Sequence, residues 1–100
     1  MIQGTTPTHS FSLPVDAETI KEIRIIYAQK ERPVLVKTTQ DCTLAEKTAA
    51  LRLSQQETFR FDPSYEVEIQ VRLLTWGGDA LASEIIRTTV GYCLGNEVMA

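Results

Sequence analysis

Between Tyr65 and Thr75 apolar and polar side chains take strict turns: Val67, Ile69, Val71 and Leu73 alternate with Glu66, Glu68, Gln70 and Arg72. Successive side chains of a strand point to opposite faces, so this spacing dictates a long strand with one buried face and one wet face. Such a strand needs hydrogen-bonded neighbours and a layer covering its apolar side. That restricts the chain to folds built on mostly antiparallel sheet. The Trp76-Gly77-Gly78-Asp79 that follows reads as a hairpin tip, because paired glycines accept the positive φ angles of tight turns. The return strand, Ala80 to Val90, is less regular. Its adjacent Ile85 and Ile86 require a bulge, or burial on both faces near the hairpin base.

The same period recurs upstream. Phe11, Leu13 and Val15 alternate with Ser10, Ser12 and Pro14, and the proline suits an edge strand or strand end because it has no N–H to donate. Asp16 to Thr19 turns the chain. A second strand, Ile20 to Ala28, puts Ile23, Ile25 and Tyr27 on one face, and Gln29-Lys30-Glu31-Arg32 forms a charged turn. Pro33 opens a third strand, rich in β-branched residues, that runs through Val34 to Thr39. The middle segment supports two readings. Thr43 with Glu46 three residues on, inside the alanine-rich run from Cys42 to Arg52, is a helix-capping signature. Ala49, Leu51 and Leu53 nonetheless alternate, and a ten-residue helix is marginal without a packed face, so a strand from Thr48 to Leu53 is favoured. Ser54-Gln55-Gln56-Glu57 is a stronger capping box and predicts one helical turn. Phe59 and Phe61 follow with strand spacing, and Asp62-Pro63-Ser64 turns.

Six or seven short strands in 100 residues predict an all-β, immunoglobulin- or fibronectin III-like antiparallel sandwich with one short helical turn. A partly open barrel is the alternative. Residues 1–100 read as a single domain, with 1–6 and 95–100 expected as loosely ordered tails. The cysteine-tryptophan-cysteine hallmark of antibody domains is absent. A net charge of −3 with no basic stripe argues against nucleic acid as a partner. No apolar run approaches the ~20 residues of a membrane span, and the first residues lack a signal peptide's pattern. A cytoplasmic protein, or one packed into a particle assembled there, is expected. Cys42 and Cys93 then read as free thiols, and their spacing matches no zinc or redox motif.

No catalytic, metal-binding or cofactor-binding residues emerge, and the chain is read as a non-enzyme without cofactors. His9, the only histidine, has no partner at a defined spacing for acid–base or metal chemistry. Glu66 and Glu68 read as the solvated face of a strand. Contact surfaces are the better candidates. Trp76 beside the glycines is a candidate anchor, since tryptophan is enriched at interfaces. Ile26, Leu35 and Leu74 have the opposite parity to the core residues of their strands, and would form an apolar patch if they share an outer face. The edge strand at Phe11 completes the set. A carbohydrate site stacking a sugar on Trp76 with Tyr65 or Tyr92 is the alternative.

Several stretches carry a family likeness. Ile23-Arg24-Ile25-Ile26-Tyr27-Ala28-Gln29 and Lys37-Thr38-Thr39-Gln40-Asp41-Cys42-Thr43-Leu44 are two of them. The others are Leu53 to Phe61, Val67 to Arg72 and Gly77 to Ser83. Together, across about Gly4 to Leu94, the chain resembles small uncharacterised proteins of Gram-positive phages and prophages, similar to the β-sandwich modules of baseplate and tail-associated proteins. The resemblance implies a virion structural or accessory protein, located in the host cytoplasm during assembly or in the virion. Its implied partners are itself, as a homo-oligomer, or other virion proteins. It brings no catalytic residues to carry over.

Overall fold

The computed structural model describes all 100 residues, and in it the alternation becomes eight strands in two antiparallel sheets. The strands are β1 (Thr8–Ser12), β2 (Ile20–Gln29), β3 (Arg32–Thr38), β4 (Thr43–Ala45), β5 (Thr48–Arg52), β6 (Val67–Thr75), β7 (Ala80–Ala82) and β8 (Ile86–Thr88). One helical turn, α1 (Gln55–Thr58), links β5 to β6. The smaller sheet has the order β1-β5-β4. The larger runs β3-β2-β6, and β7 and β8 both pair with the far edge of β6. No helix is long and apolar enough to cross a membrane.

The register puts the apolar sets of both sheets into one core. Ile23, Ile25 and Tyr27 of β2 stand opposite Leu73, Val71 and Ile69 of β6. With Val67 they meet Phe11, Ala49 and Leu51 from the smaller sheet, in a single cluster of sixteen buried residues that Leu13, Leu53, Phe61 and Val90 close from the loops. Burying these side chains, each worth roughly 1.5–3 kcal/mol for the larger ones, is the main force holding the sheets together. The turn between β2 and β3 carries Lys30 and Glu31 at φ 53° and 64°, the left-handed pair a two-residue hairpin requires. Neither residue is glycine. The Lys30 amine lies 3.8 Å from the Tyr65 ring centroid, and the Glu31 amide donates to the Glu68 carboxylate at 3.1 Å.

Three sequence expectations change, while the favoured strand of the middle segment and the Ser54 cap both form. The favoured strand of the middle segment forms as β5, starting at Thr48, and an additional strand, β4, precedes it in a hairpin. Glu46 turns it with φ 53° and caps nothing. The reciprocal cap does form at Ser54, whose hydroxyl accepts from the Glu57 amide while its own amide donates to the Glu57 carboxylate, at 3.1 and 2.8 Å. Phe59 and Phe61 form no strand. They close the helical turn, through bonds from the Phe59 amide to the Gln55 carbonyl and the Phe61 amide to the Thr58 carbonyl. The return strand is broken into β7 and β8. Ser83 fills the gap, its hydroxyl accepting from the Val71 amide and its own amide donating to the Val71 carbonyl. Residues 1–3 are tied down, since Ile2 bridges Gly91 in parallel and the amides of Gly91 and Gln3 donate to the carbonyls of Met1 and Gly91 at 2.8 and 2.9 Å.

Candidate functional site

The outer face of the larger sheet carries two of the expected contact residues, Ile26 and Leu74. In an antiparallel sheet whose other side is core, this face would ordinarily be polar throughout. Here Ile26 stands beside Val36, its register partner on β3, and Val36 is 50% exposed. Further along, Leu74 of β6 stands beside Ala80 of β7. Between the two apolar spots Arg24 and Arg72 face each other directly across β2 and β6. Arg24 is paired with Glu22, whose carboxylate lies 3.0 Å from its guanidinium, whereas Arg72 makes no ion pair. A groove of about 250 Å³ runs between these groups and β7.

The other candidate contact residues separate. Leu35 pairs with Tyr27, so it points inward and is 6% exposed; the two-against-one pairing of Pro33 and Val34 at the β2–β3 bulge shifts the parity. Val36 takes the outer position that the sequence pattern assigns to Leu35. Phe11 is 7% exposed and belongs to the core, although β1 is indeed an edge strand. Ile26 and Leu74 share the outer face but do not adjoin, because the two arginines lie between them. Trp76 is 69% exposed at the hairpin tip, with the Lys21 amine 5.8 Å from its ring centroid. Tyr65 precedes β6 while Trp76 follows it, and Tyr92 lies beyond β8, which pairs with the start of β6. These aromatics therefore form no common stacking platform with Trp76. The Arg24–Arg72 pair was not found from sequence; the signal was there, since both arginines have solvent-face parity, but their opposition depends on the strand register.

A second cluster lies at the edge of the core, where β1, β2, β3, α1 and the loop before β4 bring together His9, Tyr27, Lys37, Glu57 and Cys42. The Tyr27 hydroxyl is 2.6 Å from His9 Nδ1. Burial, with Cys42 and Glu57 nearby, pushes the phenol far above its ordinary range, so Tyr27 keeps its proton and shares a hydrogen bond with His9. Burial, and secondarily the positive Met1 amine, holds His9 below its ordinary 6.5. Burial, reinforced by Asp41, pushes the Cys42 thiol up and away from the reactive thiolate. For Glu57, burial pushes the carboxyl up. The hydrogen bonds from Lys37 and Ser54 and the Lys37 charge outweigh it and hold the group below its ordinary 4.5. This arrangement combines groups held neutral with the Lys37–Glu57 ion pair. Cys42 and Cys93 are both free, and no three His, Cys, Asp or Glu side chains converge as metal ligands.

The cluster makes stability pH-dependent in two separate windows. Below about pH 6.5 the unfolded chain takes up a proton at His9 that the folded chain resists, so stability falls as pH drops toward the folded value. Glu57 acts at lower pH: its contribution is present above 4.5 and is lost as pH falls through its depressed value. Urea midpoints measured in steps from about pH 7.5 to 5 should decline in wild type and flatten in His9→Asn. A wild-type profile flat across that range would refute the assignment.

No protein-family model, curated protein or solved structure matches this chain.

Proposed function

We propose that the chain is a non-enzymatic protein-interaction module that docks, first with copies of itself, through the outer face of its larger sheet. The observation that carries this reading is the composition of that face: two apolar spots, half-buried Ile26 with exposed Val36 and half-buried Leu74 with exposed Ala80, flank an arginine pair that is only half neutralised. Interface cores are enriched in arginine and apolar groups and depleted in acids, which suits this mixture. The strand order supports an immunoglobulin-type sandwich as the scaffold. With β1 as strand B and β2, β3, β4, β5 and β6 as C, C′, D, E and F, the broken β7–β8 edge takes the place of G. The sheets then read B-E-D and C′-C-F-G. The resemblance drawn from sequence supports a setting among the tail or baseplate-associated proteins of a phage-type particle, where repeated copies would compensate for weak single contacts.

Sedimentation equilibrium at rising concentration tests the reading. The mass should climb above the 11.2 kDa of one copy, and Ala80→Asp, on the exposed outer face beside Leu74, should return it toward that value. A wild-type chain that stays at one copy even at millimolar concentration, where a weak contact fills, would defeat it.

A further inference from the structure

The segment from Cys93 to Met99 is held at both ends. The Cys93 amide donates to Gln3 Oε1 at 3.3 Å, and the Met99 backbone exchanges two hydrogen bonds with the Gln55 side chain, at 2.8 and 2.9 Å. Between these anchors Leu94 is 96% exposed, Val98 is also exposed, and Glu97 makes no ion pair. A fully exposed leucine on a loop fixed at both ends is an apolar knob whose ordering cost is largely met before any partner arrives. Its own chain provides nothing to cover it.

The groove on the outer face has the opposite character. Glu22, Arg24, Arg72, Leu74, Ala80 and Leu81 line it. Like charges directly opposite one another across a sheet repel, and the single Glu22 carboxylate answers only Arg24. Arg72 is thus a free guanidinium on the lip of an apolar groove, the complement of a carboxylate beside an aliphatic side chain.

We propose that this groove receives the 94–98 loop of a second copy, with Leu94 against Leu74 and Ala80 and Glu97 at Arg72. The inference rests on the interaction-module reading and names its partner. The loop does not serve its own groove. It follows β8, which pairs with Val67 to Ile69, whereas the groove lies at the Leu73 end of the same strand, roughly 15–20 Å away at about 3.3 Å per residue. Loop and groove are different surfaces, so each contact leaves one of each free and copies join head to tail, in rings or open chains. One loop buries far less than the ~1,200 Å² of standard complexes, so the contact is weak, concentration-dependent and sensitive to salt.

Sedimentation velocity of the full chain at rising concentration, in low and high salt, reads the association. Arg72→Glu and Glu97→Lys, both at exposed positions, should each weaken it by about tenfold or more. An equimolar mixture of the two should recover it, because the first supplies an intact loop and the second an intact groove. Association that persists unchanged in both single variants overturns the inference while leaving the interaction reading in place. So does a mixture no stronger than its components. A wild-type chain that never associates removes both.

Discussion

Phe61→Ala should be the most damaging single substitution, lowering the free energy of unfolding by about 3–5 kcal/mol. A domain of this size has roughly 5–15 kcal/mol in total, so the variant should lose much of its urea midpoint. Phe61 lies outside every strand and is nonetheless 1% exposed. It stops the end of the space between the sheets, its ring centroid 5.9 Å from that of Tyr27, and its carbonyl accepts from the Gln3 side chain at 2.8 Å. Truncation would open a cavity against Tyr27, which cannot collapse without breaking the bond to His9. Phe61→Leu, which keeps most of the volume, should cost less than half as much. A loss below about 1 kcal/mol for the alanine variant would show that the loop, and not the ring, closes this end.

Gln29→Leu should cost about 2–4 kcal/mol through a different mechanism. Gln29 ends β2 with its side chain buried, donating to the carbonyls of Asp62 and Tyr65 at 2.7 and 3.0 Å and accepting from the Asp62 amide at 2.8 Å. One amide group therefore satisfies three backbone groups of the loop that delivers the chain to β6. Leucine matches its bulk and supplies none of the three bonds, so the penalty is that of unpaired backbone groups and not of a cavity. Hydrogen exchange at the Asp62 amide should accelerate well beyond the change in global stability, because the loop opens locally. Exchange that merely tracks global unfolding would count against the clamp.

The strands were legible where a single face is buried. The four repeats of β6, and Ile23, Ile25 and Tyr27 of β2, were assigned by parity alone, because one side of each strand meets core and the other meets water. Leu35 misled for a local reason: the extra residue at the β2–β3 bulge inverts the side on which it lies, and no periodicity records a bulge. In sequence Gln29 reads as part of a charged turn, because its three partners are 33 to 36 residues away. Sequence likewise shows no partner for His9, because Tyr27 is 18 residues distant and on the other sheet. The arginine pair was half visible. Sequence gives the direction in which each guanidinium points, and only strand registration brings the two face to face.

The interruption of the last edge at Ser83 bears on how copies of this chain can meet. An intact outer strand would offer a continuous row of free amides and carbonyls as a template for another chain, the route by which β proteins run on into cross-β deposits. Here the available ladder is two pieces of three residues each, and the opposite margin carries Pro33 within a bulge. Main-chain propagation is thereby hindered on both flanks of the larger sheet, so assembly through that sheet is steered to side-chain recognition, which can be dissolved by salt or dilution and reversed.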